Sequence, residues 1–330
     1  MTRGAVGALV ESPLQLICTI EAHAAGLGGT PTRVHVRSDV PSLEQVRDTV
    51  AASVLPDGVT LDVRGPGAAL TSFEPGRIVG EAFSGLFQLA LLTRPVRSIV
   101  LVDDGLAALD LARILASSDA ALIRPGLRLG AGRRILGRLA AARLRGLAHR
   151  GRLTVFTALP VASDIAERLV AVGVNVVRND FTWLSTQPMD ETPPEPTVVL
   201  GSELVATGLV DEDDYLGWVL SMAAEGPLLY LPFRRENPAV ARVLARTPGV
   251  TVADAGAALE LRLSGMKPGQ RVRSLPSTTA VVLTTILGHR GVDVETVPVP
   301  DAWWTPRSTP EQHAFAARLV PLAEAARSRG

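Results

Sequence analysis

Two adjacent carboxylates, Asp103 and Asp104, follow the apolar run Ile99, Val100, Leu101, Val102 and are themselves followed by Gly105. Neighbouring acids oppose one another's ionisation, so one of such a pair is poised to take a proton near neutral pH as a general base. The same sequence also suits an ordinary helix start, with Asp104 as cap and Asp103 solvated. Three other junctions combine an apolar run with chemically useful side chains. In "LVESPLQL", Glu11 and Ser12 precede Pro13 and Gln15. There, a serine cap and proline in the first turn start a helix whose free N–H groups face an anion or hydroxyl, although plain capping with a solvated Glu11 explains this junction by itself. In "LLYLPFRRENP", Phe233, Arg234, Arg235 and Glu236 end an apolar run. Paired guanidinium donors suit a phosphate, and an Arg–Glu surface pair is the alternative. In "SLPSTTAVV", Ser277, Thr278 and Thr279 open an apolar helix, where hydroxyls and unpaired N–H groups together cradle a phosphate; one of them is enough for a cap. Gly201 and Ser202 in "VVLGSELV" form a similar small-residue turn.

The elements that must position these residues alternate. Apolar, β-branched runs over 4–10, 32–38, 59–65, 97–103, 153–159 and 174–179 read as strands. Segments 14–26, 42–54, 78–92 and 161–173 between them read as helices. A Pro-rich acidic stretch over 185–197 breaks the pattern and reads as a linker, after which strands and helices alternate again. The final segment predicts a helix capped by Ser308 or Thr309, with Pro310 at its first position and Glu311 in its first turn. Parallel strands with crossover helices are the fold this alternation predicts, and in such sheets ligands sit beyond the carboxyl ends of the strands.

The bulk composition narrows the function classes. The 330 residues carry equal numbers of basic and acidic side chains, 33 each, so a nucleic-acid binder is not expected. A single cysteine, Cys18, excludes a disulfide framework, and the five histidines show no metal-ligand spacing, so no metal is expected. The N-terminal apolar run is too short for a signal peptide, which predicts a cytoplasmic protein. From Ala120 to Ser163 no acid occurs, whereas nine arginines lie between Arg124 and Arg152. Apolar residues at helical spacing within that stretch leave two readings open: peripheral contact of segment 124–152 with an anionic membrane or acidic polymer, or a solvated arginine face on a core helix. A homo-oligomer is also left open.

Taken in order, "ESPLQL", "DDG", "LPFRRE" and "PSTTA" resemble the bacterial sialyltransferases of the two-Rossmann (GT-B) type, most closely the polysialyltransferase-like family, over nearly the whole chain. The resemblance implies an α/β GT-B fold: two doubly wound Rossmann-like domains facing a central cleft. Residues 1–190 would form the acceptor domain, 191–307 the CMP-sugar donor domain and 308–330 a terminal helix. It further implies metal-independent, inverting transfer of sialic acid or a related nonulosonic acid from a CMP-activated donor to a sugar hydroxyl of a cell-surface glycan. The CMP-sugar is then a substrate and no cofactor is needed.

By position, Asp103 would be the general base within the motif Asp103, Asp104, Gly105. Glu11, Ser12, Pro13 and Gln15 would lie on the acceptor side with Gly105. Ser277 and Thr278 would hold the donor phosphate, with Thr279, Gly201 and Ser202 close by. Phe233 stands where the family carries histidine, so Arg234 or Arg235, in the loop that ends at Glu236, would stabilise the leaving phosphate. A different nucleotide sugar, or a non-catalytic relative that binds one, remains an alternative. A dinucleotide-dependent oxidoreductase is disfavoured because no GxGxxG motif follows the strands.

Overall fold

A computed structural model describes residues 4–65, 74–103, 105, 107–117, 120–124, 129–187, 192–254 and 258–328. The chain separates into two compact units, Met1–Pro188 and Met189–Gly330. In the first, the strands are β1 (Val6–Val10), β2 (Thr32–Arg37), β3 (Val59–Arg64), β4 (Gly76–Val79), β5 (Ser98–Val102), β6 (Leu153–Thr157) and β7 (Asn175–Arg178). They form one sheet in the order β3-β2-β1-β4-β5-β6-β7, with every neighbouring pair parallel. The second unit contains β8 (Thr197–Leu200), β9 (Leu228–Leu231), β10 (Val250–Val252), β11 (Arg271–Ser274) and β12 (Asp293–Thr296). These form a parallel sheet in the order β10-β9-β8-β11-β12. In each sheet the winding direction reverses once, between β1 and β4 and between β8 and β11. Right-handed crossovers on either side of that point place helices on both faces, so each unit is a doubly wound α/β sheet.

The helices that start at the reversal points are the most buried. Pro13–Ala22 follows β1 and is buried from Gln15 to Ala22. Thr278–Gly288 follows β11 and is buried from Ala280 to Leu287. A helix apolar on all sides has to sit inside its unit, and that fixes the place of its N-terminus. Both are capped by serine: Ser12 accepts from Gln15 N at 3.3 Å and Ser277 from Ala280 N at 3.1 Å. On the other face of the first sheet, Ile99, Leu101, Leu153 and Val155 pack against Leu91, Leu111 and Leu144. The terminal helix, Pro310–Arg327, packs on Thr278–Gly288 within the second unit. Its cap is Thr309 with Gln312 in a capping box, whereas Ser308 bonds His313.

Two strands differ from the sequence expectation. The stretch expected to be one helix over 78–92 is β4, a turn, and the helix Gly85–Thr93. The four residues of β4 are too few to show a period of two, and they become a strand because the slot between β1 and β5 supplies partners on both sides. β11 has the sequence RVRS and carries no apolar run, yet it is next to the centre of its sheet. Arg273 is accommodated there by Asp293 at 2.8 Å and Glu295 at 2.9 Å on β12. The predicted linker is partly tied to the second unit: Gln270 Nε2 donates to Pro193 O at 2.7 Å and to Glu195 O at 2.9 Å.

The first unit's last helical turn, Thr182–Ser185, is held by Glu21, whose carboxylate accepts from Trp183 N at 3.0 Å and Leu184 N at 2.7 Å. Burial pushes the Glu21 carboxyl up to about 7 from 4.5, despite those two donors. A raised carboxyl pKa in the folded state means stability that is complete below pH 4.5 and is lost as the pH rises through 7. Glu21→Gln is therefore expected to flatten the fall in thermal midpoint across that window, a difference of at most about 3 kcal/mol at its upper end. Parallel melting curves for the two proteins would show the opposite, that Glu21 is ionised throughout.

Candidate functional site

At the carboxyl edge of the first sheet, Glu11 ends β1 and is held by Arg37 at the end of β2, which also grips Asp39 with Nε at 2.9 Å. These two carboxylates raise the Arg37 pKa. Glu11 N donates to Gln15 Oε1 at 2.9 Å, and Gln15 lies against Gly80 at the end of β4, where a Cβ would have no room. Gln15 is thus a buried brace across the reversal point, with Glu11, Ser12 and Pro13 at the rim beside it. After β4, Glu81 accepts from Phe83 N at 3.0 Å and pairs with Arg124. A cavity of about 60 Å³ opens here, lined by Gly7, Leu9, Glu11, His35, Val79, Glu81, Leu86 and Phe87 among others. Sequence reasoning missed Arg37, Asp39 and Glu81. Each lies within two residues of a strand's end: Arg37 and Asp39 were within reach of the carboxyl-edge rule from the 32–38 run, and Glu81 was hidden because the end of β4 falls in a stretch that reads as helix.

Asp103 ends β5 and is fully buried. One carboxylate oxygen accepts from Thr157 Oγ1 at 2.5 Å and the other from Ala158 N at 2.7 Å, and Thr157 Oγ1 accepts from Leu159 N at 3.0 Å. Asp103 therefore ties the ends of β5 and β6 together and is not a solvated acid. The alternative of a solvated Asp103 is thereby corrected, because both of its oxygens are engaged by donors at the buried sheet edge. Gly105 has φ 60°, a left-handed turn that favours glycine, and it leads into the helix Ala107–Leu115. Asp104 lies outside the described residues.

In the second unit, β8 lies between β9 and β11, so three of the sequence-predicted junctions become neighbours. Gly201 ends β8 where a Cβ would strike Phe233 N and the Glu236 carboxylate, so the β8 and β9 ends meet as closely as glycine allows. Ser202 caps the short helix Glu203–Ala206. Glu236 turns inward: it accepts from Tyr230 Oη at 2.8 Å and Phe233 N at 3.0 Å, and Tyr215 Oη, 3.3 Å from Tyr230 Oη, donates to Leu200 O. Burial raises the Glu236 pKa, with the Tyr230 and Phe233 bonds opposing it.

Glu236 is therefore a clasp for its own loop, and the alternative of an Arg–Glu surface pair is not found among the described residues. Arg234 and Arg235 are exposed, with no carboxylate partner among the described residues; the Arg234 guanidinium lies 5.9 Å from the centre of the Phe233 ring. On the other side of β8, Thr278 and Thr279 sit half-buried in the first turn after Ser277, a turn with no acidic residue. Two exposed guanidiniums after β9 and a serine-capped helix start with two threonine hydroxyls after β11 thus lie on either side of β8, groups whose chemistry suits a phosphate. Among the described residues no cluster of three His, Cys, Asp or Glu side chains gathers in metal-binding geometry.

No family model matches the chain, and no curated protein matches it. Solved structures that are similar to it include Phytolacca americana UGT2 complexed with UDP-2fluoro-glucose and pterostilbene, with a TM-score of 0.47 and 10% identity over 98% of this chain and 89% of that one. A UDP-glucose: anthocyanidin 3-O-glucosyltransferase in complex with UDP has a TM-score of 0.47 and 11% identity over 97% of this chain and 84% of that one. Arabidopsis thaliana UGT89C1, complexed with quercetin, has a TM-score of 0.43 and 11% identity over 98% of this chain and 90% of that one.

Proposed function

We propose that this protein is an inverting glycosyltransferase of the GT-B type that takes a nonulosonic acid, such as sialic acid, from a CMP-activated donor to a sugar hydroxyl. The observation that carries the proposal is that Glu236 is occupied by Tyr230 and Phe233 N and leaves Arg234 and Arg235 exposed and unneutralised at the end of β9. The donor phosphate lies against these guanidiniums and the N-terminal turn at Ser277, Thr278 and Thr279. Phe233 cannot donate a proton, so the leaving phosphate is stabilised by fixed positive charge and hydroxyl donors as the glycosidic bond breaks. The acceptor binds in the first unit at the rim formed by Glu11, Ser12 and the adjoining cavity. A carboxylate takes the proton of the attacking hydroxyl, and attack from the face opposite CMP inverts the anomeric carbon. Since Asp103 is engaged by Thr157 and Ala158 N, Asp104 is the acid we assign as base, with Asp103 as the positioning residue.

Calorimetric titration with CMP, and with UMP, UDP and GMP as controls, tests the donor. Selective CMP binding is expected, weakened roughly tenfold in Ser277→Ala/Thr278→Ala because two neutral hydrogen bonds are lost. Equal affinity for all the nucleotides, or an unchanged CMP affinity in the double variant, would remove the CMP assignment or the Ser277 site respectively. CMP binding with no transfer to any glycan acceptor would mark a non-catalytic relative, the outcome that Phe233 in place of a histidine makes worth separating.

A further inference from the structure

We propose that the helices Gly85–Thr93 and Ala131–Ala148 together form a face by which the first unit lies on an anionic lipid bilayer. The two helices pack side by side and are fastened by Arg133, which donates to Gln88 Oε1 at 2.9 Å and Phe83 O at 3.1 Å. Buried Gly137, Ala140, Ala141, Leu144 and Leu147 turn one side of Ala131–Ala148 to the core. On the opposite side Ile135, Leu139, Ala142 and Gly146 recur at i, i+4, i+7 and i+11, a second apolar stripe that the core does not use. Ile135 is 58% exposed and Leu139 53%, and on the neighbouring helix Leu89 and Leu92 are 46% and 37% exposed. Single exposed leucines are ordinary, but four large aliphatic residues on two adjoining helices need a covering partner.

The charges around the stripe identify that partner. Arg134, Arg138 and Arg143 flank it, are exposed, and have no carboxylate partner among the described residues. The sequence has no acid between Glu81 and Asp103, nor from Ala120 to Ser163, and Glu81 itself is paired with Arg124. A second copy of the chain would bring these arginines against their equivalents, and a soluble acidic polymer would leave the leucines wet. An anionic bilayer surface covers both: aliphatic side chains enter the acyl boundary while the guanidiniums stay at the headgroups. No helix among the described residues is long and apolar enough to cross a membrane, so this contact is one of lying on the surface.

Co-sedimentation of the full chain with phosphatidylcholine vesicles, with and without roughly a third phosphatidylglycerol, tests the inference. Binding is expected only to the anionic vesicles, and to fall with salt. Arg134→Ala/Arg138→Ala/Arg143→Ala should lower partitioning by roughly a hundredfold, about fivefold for each arginine. Ile135→Ser/Leu139→Ser should lower it about tenfold with an unchanged melting curve, because neither side chain packs in the core. No binding, equal binding to neutral vesicles, or a dimer in size-exclusion chromatography that Leu139→Ser dissolves would overturn the proposal; the last would make the face an interface between copies.

Discussion

Asp104→Asn is expected to stop glycosyl transfer while leaving the melting curve and CMP affinity as they are, whereas Asp103→Ala is expected to destabilise the first unit by about 3 kcal/mol. The second part of this prediction rests on Thr157 Oγ1 and Ala158 N, the two donors that Asp103 satisfies inside the sheet edge. Removing the carboxylate strands both in a site without water, at about 1–3 kcal/mol for each buried group left unpaired. Asp103→Asn keeps an acceptor for Ala158 N and fills the same volume, so its cost is expected to be about 1 kcal/mol. Turnover in Asp103→Asn should fall in proportion to the disorder it brings to the turn at Gly105, and its KM and kcat should move together. Thermal melts and transfer assays on the three variants decide the matter. A fully active Asp104→Asn beside a well-folded, inactive Asp103→Asn would return the base to Asp103 and require its two bonds to open during the reaction.

Arg234→Ala and Arg235→Ala are each expected to weaken CMP binding about tenfold, and together about a hundredfold, by calorimetric titration. A hydrogen bond to a charged group contributes about 1.5–3 kcal/mol, and exposure and salt place these at the lower end. The affinity of the unmodified protein should fall as salt is raised, and that dependence should diminish in the double variant. Lysine at either position restores charge but not the paired donors, so recovery is expected to be partial. If Arg234→Ala and Arg235→Ala bind CMP as tightly as the unmodified protein, the phosphate lies elsewhere. The cation–π contact of Arg234 with Phe233 would then be a loop-packing contact alone.

Much of the architecture was legible in the sequence because its signals are local. Apolar runs bounded by Gly and Pro marked most strands, and the serine caps at Ser12 and Ser277 marked the starts of the two buried helices, since a cap is a bond between residues three apart. The alternation of the two element types sufficed for parallel, doubly wound sheets. β4 and β11 escaped because neither carries the pattern of a strand; each is made one by neighbours distant in sequence.

For the candidate site, the sequence by itself determined which junctions hold acids, arginines and hydroxyls. Only the tertiary structure decided what those groups face. Asp103 and Glu236 look alike in sequence, as carboxylates beyond a strand end, and both proved to be inward ties because donors from Ala158, Thr157, Tyr230 and Phe233 reach them there. The arginines beside Glu236 are unpaired for the same reason. The apolar spacing within the arginine-rich run was visible in the sequence, but which of its residues stay exposed on Ala131–Ala148 was not, since which of two apolar faces a helix buries depends on the sheet against which it packs. Charge and hydroxyl content are properties of residues, but burial and pairing are properties of the folded surface, and it is these that separate a strut from a site.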